Sequence, residues 1–183
     1  WTFMHKSQLR EMIPDGNLVL QDLVLDDLWH GLSWLQGHGV EMEEEREVMG
    51  HGRGRVTGAA HLTGVLVDRV RALGGEIALE TPMDTLLYED GSVRGVRACP
   101  PGGTVDIEAG AVVLATGGFQ GNPELLVRYV TPRVEKLYLR SNPWSTGDGF
   151  IEASRIGAAA TPGMAGFYGH SLPAPPAQFK ASE

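Results

Sequence analysis

A short apolar run that ends in two glycines constrains the fold of this chain most. Ala111–Ala115 consists of small or apolar residues, β-branched in the middle, with no charge among them. Such a run predicts a strand buried on both faces, as in a parallel sheet with helices packed on either side. Thr116, Gly117 and Gly118 follow directly, and two glycines allow φ > 0 and place no side chain between the backbone and a ligand. The pattern predicts a ligand-binding turn or, alternatively, a tight turn that closes a core strand.

Two helices are predicted before this run. Residues 18–36 carry apolar side chains at the three-and-four spacing of a core-facing stripe, and Gly37 and Gly39 end the pattern. Residues 59–73 repeat that spacing, and Gly74 and Gly75 provide a C-terminal stop. The stripe of the first helix contains Leu20, Leu23, Val24, Leu28, Leu32 and Leu35.

Short strands are predicted around these helices. Residues 86–89 and 93–97 flank Asp90-Gly91, a dipeptide that favours a β-hairpin, and residues 104–108 form a third strand. Residues 76–80 alternate polar and apolar side chains, as in a strand, and residues 40–42 read as a short edge strand. Further helices are predicted at 123–130 and 150–157. The order of elements indicates the α/β class.

Composition excludes several classes of function. The formal net charge is −8, which does not favour a nucleic-acid-binding surface. Residues 50–55 are rich in glycine but lack the Gly-x-Gly-x-x-Gly spacing and the preceding strand of a dinucleotide loop, although their Arg and His side chains could reach an anionic ligand. The single cysteine, Cys99, fits a reducing, cytoplasmic compartment. No apolar run has the length of a membrane span, and no metal site is predicted.

Two motifs at a fixed spacing identify a resemblance. Ala-Thr-Gly-Gly-Phe at 115–119 is followed about thirty residues later by Thr-Gly-Asp-Gly at 146–149, at the start of a helix. This pair resembles the FAD-dependent fumarate reductase and succinate dehydrogenase flavoprotein family. Gly-Phe-Tyr-Gly-His at 166–170 is most similar to the members like tricarballylate dehydrogenase. The resemblance extends from about residue 59 to residue 170.

The resemblance implies a role for six residues. The end of the strand around Met83 would place backbone groups against the adenine of FAD, while the turn at 116–118 would pass close to the dinucleotide. Asp148 would lie near the flavin, where a helix N-terminus favours a carboxylate; the alternative is a plain helix cap. His170 would bind an anionic substrate, or be an ordinary surface histidine. The proposed cofactor-binding residues are Met83, Thr116, Gly117, Gly118 and Asp148.

The resemblance also predicts that the chain is an internal piece of a longer protein. The family's first βαβ unit, with its Gly-x-Gly-x-x-Gly loop, and its proton-donating arginine have no counterpart in these residues. We therefore expect residues 1–145 to be the middle of a doubly wound FAD-binding domain and residues 146–183 to begin a capping domain. The predicted fold is a parallel sheet core with an attached antiparallel hairpin unit. The piece alone should hold FAD weakly and contain no catalytic residue.

The predicted function of the parent protein is hydride transfer between a small, carboxylate-bearing substrate and N5 of FAD. An electron donor or acceptor would be a further partner, and no nucleic acid is expected. One alternative is another two-dinucleotide flavoprotein, of the ketosteroid dehydrogenase or aspartate oxidase type. A second alternative is a non-catalytic assembly domain, because an open sheet edge would favour self-association.

Overall fold

A computed structural model describes residues 9–11, 13–14, 16–47, 53–139, 141–161 and 163–166. The chain divides into two compact units, which are described separately. The first unit contains residues 1–82 and 99–103, and the second contains residues 83–98 and 104–183. In the described part of the chain no helix has the length and apolar character needed to cross a membrane.

Both helices predicted for the first unit are confirmed. Helix α1 spans Leu18–Gly37, and the side chain of Asn17 caps it by accepting a hydrogen bond from the Leu20 amide at 3.1 Å. Helix α2 spans Ala59–Ala72, and Gly74 follows it with a φ of 83°, in the left-handed region that favours glycine after a helix.

The predicted apolar stripe of α1 is covered along only half of its length. Leu32 is 9% exposed, whereas Leu20 and Leu23 are both 57% exposed and Val24 is 61% exposed. The prediction that the whole stripe faces a core is therefore wrong for these described residues. The C-terminal half of α1 packs against its unit, and its N-terminal half presents apolar side chains to solvent.

Two strand predictions in the first unit are wrong. Residues 40–42 form no strand, although Val40 is buried. Strand pairing occurs instead between β1 (Arg46–Glu47) and β2 (Arg53–Gly54), which run antiparallel. Residues 76–80 form no strand either, and Leu79 is 75% exposed. A strand needs a neighbour to take its backbone hydrogen bonds, and the described sheets place none beside this segment. Residues 48–52, in the glycine-rich loop, lie outside the described residues.

The second unit contains the predicted three-stranded antiparallel sheet. Its strands are β3 (Met83–Glu89), β4 (Ser92–Ala98) and β5 (Val105–Glu108), in that spatial order. Asp90 and Gly91 have φ values of 48° and 77°, as a tight hairpin turn with two left-handed residues requires. The hairpin and the third strand are thereby confirmed.

Two helices in the second unit are confirmed as well. Helix α3 spans Pro123–Tyr129, and helix α4 spans Asp148–Arg155; a 3₁₀ turn lies between them at Val134–Lys136. Proline begins α3 at a position where its missing N–H costs nothing. Together with the sheet, these helices make the chain a mixed α/β protein.

The buried strand predicted at Ala111–Ala115 is not formed in this structure. The described sheets do not include the segment, Val113 is 88% exposed and Leu114 is 37% exposed. An apolar run becomes a buried strand only when neighbouring strands take its hydrogen bonds and helices cover its faces. The described residues of the second unit supply no neighbouring strand, and α4 lies against Leu114 while Val113 stays exposed.

Candidate functional site

The turn that follows the apolar run depends on glycine for its conformation. Gly117 has a φ of 78°, in the left-handed region, and a Cβ there would lie 3.2 Å from Oγ of Ser145. Gly118 is not in that region, and a Cβ there would meet only the flexible end of the Gln120 side chain. Gly117 is therefore needed by the chain itself, whereas Gly118 has no such requirement.

The structure brings the two glycine-rich motifs into direct contact. The amide of Gly149 donates a hydrogen bond to Oγ1 of Thr116 at 3.2 Å. A Cβ on Gly149 would collide with that oxygen and approach Cβ of Leu114 at 3.5 Å. The first turn of α4 can therefore lie against the Thr116 turn only because residue 149 has no side chain.

Asp148 is the first residue of α4, but it does not cap the helix. The cap is Gly147, with a φ of 89° and no side-chain hydrogen bond. The exposed Asp148 carboxylate instead accepts a hydrogen bond from Oγ1 of Thr146 at 2.8 Å. The carboxylate is thus held at a helix N-terminus, where the helix dipole favours a negative charge, with an open side toward solvent.

Asn122 links the start of α3 to the 146–149 motif, and sequence patterns did not identify this link. Its side-chain oxygen caps α3 by accepting from the amides of Glu124 and Leu125 at 3.1 and 3.2 Å. Its side-chain nitrogen donates to the carbonyl oxygen of Thr146 at 2.9 Å. The signal for the cap was available, since asparagine directly before a helix-starting proline is a common N-terminal pattern. The bond to Thr146 leaves no trace in the local sequence.

An aromatic cluster packs beside the turn. The ring centroids of Phe119 and Phe150 are 5.5 Å apart, and Tyr129 lies 6.0 Å from the first and 5.4 Å from the second. These separations are typical of favourable tilted and edge-to-face packing. The cluster fastens α3 and α4 to the residue that follows Gly118.

A groove of ≈ 530 Å³ opens next to the turn. Gly117 and Gly118 form one wall, and the Phe150 side of α4 forms another. Much of the remaining lining consists of small residues, which leaves room and exposes backbone. These are Ala153, Ser154, Ala158, Ala159, Ala160, Thr161, Gly163 and Gly166.

An ion pair between a buried glutamate and a half-exposed arginine attaches α4 to the sheet. Glu152 is 8% exposed and accepts hydrogen bonds from Oγ1 of Thr85 at 2.5 Å and from the amide of Leu86 at 2.9 Å. Arg155 donates to Glu152 at 3.0 Å, to Oγ1 of Thr85 at 2.7 Å and to the carbonyl oxygen of Leu86 at 2.8 Å.

Opposing effects act on the Glu152 carboxyl. Burial raises its pKa, but the hydrogen bonds it accepts and the charge of Arg155 lower it. The net pKa lies below the ordinary range, so the carboxylate is ionised at neutral pH. The sequence did not identify this pair, because its partners in β3 are more than sixty residues away.

Met83, a further predicted site residue, is not part of this contact. Met83 is the first residue of β3, opposite Ala98, and the hydrogen bonds that join the two motifs do not involve it. His170 lies outside the described residues. Among the residues that the structure describes, no group of His, Cys, Asp and Glu side chains could hold a metal ion.

Comparison with known proteins identifies the family. The model of the FAD binding domain family matches residues 33–173, which is more than half of the chain. The chain belongs to this family. The cofactor of this family is FAD, as the resemblance of the two motifs to fumarate reductase flavoproteins predicted for the parent protein.

Relatives agree with this assignment. The vinyl phenol reductase of Lactiplantibacillus plantarum is 33% identical over 162 residues, which cover 82% of this chain and 32% of that protein. A probable fumarate reductase of Shewanella frigidimarina is 29% identical over 161 residues, which cover 80% of this chain and 26% of that protein. The match therefore spans about a quarter to a third of the length of these two curated relatives.

A solved structure supports the fold. The open conformation of a flavocytochrome c3 fumarate reductase superposes with a TM-score of 0.72 at 24% identity. The match covers 79% of this chain and 27% of that one. The described elements thus correspond to part of an FAD-binding domain fold.

Proposed function

We propose that the whole protein to which this chain belongs is an FAD-dependent oxidoreductase that acts on a carbon–carbon bond of a small substrate. The observation that carries the proposal is the contact between the Thr116 turn and the start of α4, within a family that binds FAD. Bound FAD supplies a carrier that takes up or gives up a hydride at N5. The two curated relatives are named for vinyl phenol and fumarate, which both contain a carbon–carbon double bond.

A carboxylate on the substrate is the narrower part of this proposal. Fumarate is a dicarboxylate, whereas vinyl phenol has no carboxylate, so the names of the relatives favour the double bond more strongly than the charge. His170, as an imidazole that donates hydrogen bonds, would bind the anionic group. The similarity of residues 166–170 to the members like tricarballylate dehydrogenase stays a prediction, since 167–170 lie outside the described residues.

The described residues fit the dinucleotide. Thr116, Gly117 and Gly118 are exposed, and the two glycines line the groove, so their backbone amides and carbonyls would be open to a ligand. Asp148 would accept a hydrogen bond from a hydroxyl or N–H of FAD, with Thr146 fixing its orientation. Met83 would contribute backbone groups to the adenine end. The residues proposed to hold FAD thus expose backbone or a single carboxylate.

The apolar run would complete its strand in the whole protein. An exposed segment such as Ala111–Ala115 buries its side chains once strands from other parts of the parent lie beside it. In this proposal residues 1–145 belong to the FAD-binding domain, whose core is a parallel sheet, and residues 146–183 begin the capping domain.

A glycine pair in the whole protein tests the ligand-binding turn. Gly118→Val places a branched side chain on the proposed path of the dinucleotide. FAD binding should weaken by at least about tenfold, because the side chain would remove a close contact between the backbone and the ligand. Gly110→Val is the matched control, because neither glycine has a left-handed φ and a Cβ at Gly110 would meet nothing within 4 Å. Gly117 is a poorer probe, since its φ of 78° would strain any side chain.

The measurement is a titration of each apoprotein with FAD, followed by flavin fluorescence, together with circular dichroism as a test of folding. The proposal requires Gly118→Val to stay folded and bind FAD weakly while Gly110→Val binds normally. Normal FAD binding by Gly118→Val would show that the turn only closes the fold. An unmodified protein without FAD would contradict the proposed function as a whole.

A further inference from the structure

The ion pair of Glu152 and Arg155 occupies the open edge of a sheet. Strand β3 is at one side of the order β3-β4-β5, so alternate backbone groups point away from β4. Leu86 provides two of these groups, and the structure pairs its N–H with Glu152 and its C=O with Arg155. Two side chains of α4 thus take the places that the backbone of a further strand would occupy.

One face of α4 contacts both the Thr116 turn and strand β3. Gly149 and Glu152 are the buried residues of this helix, and a separation of three places them on the same side. The first contacts Thr116, and the second contacts Leu86 and Thr85. A change in how Glu152 attaches to β3 therefore moves the same face that lies on the Thr116 turn.

The helix is too short to keep its place alone. Asp148–Arg155 has eight residues, and helices of this length are unstable in water without tertiary contacts. Contact with Phe119 and Tyr129 through Phe150 fixes the helix sideways but is apolar and tolerates sliding. The charged hydrogen bonds to one peptide unit of β3 specify a position along the helix axis.

From these contacts we infer that Glu152, with Arg155, is a positioning residue for the cofactor site. The pair binds α4 to the edge of β3 and so sets the position of residues 147–149 against Thr116. This inference rests on the proposed function, because the proposed function assigns the Thr116 turn and Asp148 to FAD binding. Glu152 does not contact the Thr116 turn and acts through Gly149, on the same face of α4.

The experiment compares variants of the whole protein. Glu152→Gln keeps the shape of the side chain and removes the charge that Arg155 binds. Asp106→Asn is a control on the same sheet, since it breaks the exposed pair with Arg97, 2.6 Å apart, and leaves α4 untouched. Leu32→Ala is a control for general destabilisation, because it removes a buried side chain from α1 in the other unit.

Two measurements are made on each variant. Hydrogen–deuterium exchange of a peptide covering residues 145–151, in the apoprotein, reports the position of the α4 start without any ligand. Titration with FAD reports the cofactor site. Glu152→Gln should speed the exchange of that peptide and raise the Kd for FAD about tenfold to a hundredfold, the size of effect that misplacement of a site produces. Both controls should leave the exchange unchanged and the Kd within twofold.

Each outcome supports or overturns the positioning role of Glu152. Unchanged exchange at 145–151 in Glu152→Gln overturns the positioning role, whatever happens to FAD. Faster exchange with an unchanged Kd overturns its link to the cofactor. A Kd that rises equally in Leu32→Ala assigns the effect to general stability. If the unmodified protein fails to bind FAD, the proposed function is contradicted, and the exchange result still decides whether Glu152 sets the α4 start.

Discussion

The three-stranded sheet and the apolar run 111–115 lie in the same unit but differ in what completes them. In the sheet, each strand has a neighbour close in sequence, and Leu86 is 4% exposed and Ala98 is 3% exposed. The apolar run is at least as hydrophobic, yet Val113 is 88% exposed. The difference shows that hydrophobic residues become a core only where partners are available. The sheet contains its own neighbouring strands, whereas the run has none among the described residues, and we propose that other residues of the parent protein supply them.

The largest effect is expected from a charge placed in the apolar run. Val113→Asp should lower the free energy of unfolding of the whole protein by about 4 kcal/mol, because a carboxylate would be buried without a partner. In the isolated 183-residue chain, where Val113 is exposed, the change should stay within about 0.5 kcal/mol. Urea unfolding of both proteins measures the two values.

Leu86→Asp is the matched control for that prediction. Leu86 is buried within the isolated chain, so a carboxylate there should destabilise the chain and the whole protein alike. If Val113→Asp also destabilised the isolated chain strongly, the run would have a core of its own, and the comparison would fail.

A smaller effect is expected from a methyl group inside the sheet. Gly95 has a φ of 153°, and a Cβ there would collide with the carbonyl oxygen of Ile107 on β5. Gly95→Ala should therefore separate β5 from β4 and lower the free energy of unfolding by about 2–3 kcal/mol. The loss should be equal in the isolated chain and in the whole protein, since the sheet contains its own partners. Thermal and urea unfolding would reveal any inequality, which would contradict this independence.

The smallest effect is a dependence of stability on pH. It comes from the Glu152–Arg155 pair between α4 and the sheet, and not from the apolar run. The folded-state pKa of Glu152 is below its ordinary range, so the pair stabilises the fold fully above about pH 4.3, the unfolded value. That contribution is lost as pH falls through the lower, folded pKa. Unfolding followed from pH 6 to pH 3 should show this loss, and Glu152→Gln should reduce it. Residues 109–119 hold no ionisable side chain, so they contribute no pH dependence.

Local patterns in the sequence predicted local structure well. Asp90-Gly91 predicted the hairpin because only residues tolerant of positive φ fit its turn, and the φ values agree. The stop at Gly74 fixed the end of α2 for the same reason. In each case the physical cause lies within a few residues of the element that it specifies.

Predictions failed where the cause lies far along the chain. Residues 76–80 and 111–115 have strand-like patterns, but a pattern does not state whether a neighbour is present. At the candidate site, the glycines could be identified by type, whereas the bonds of Asn122 to Thr146 and of Glu152 to Leu86 could not. A buried glutamate has no sequence signature apart from its place three residues after Gly149 on the packed face of α4.

The separation of Glu152 from its partners has a consequence for the order of folding. The hairpin of β3 and β4 closes through a two-residue turn, and hairpins form within about 1–10 μs. The contact of Glu152 with Thr85 spans 67 residues, so a much longer loop must close before that contact is gained. We therefore expect the sheet to form early, with the edge of β3 open for a time, and the contact of α4 with the Thr116 turn to be the last part of the unit to form. During synthesis, that edge stays exposed until the ribosome has released α4.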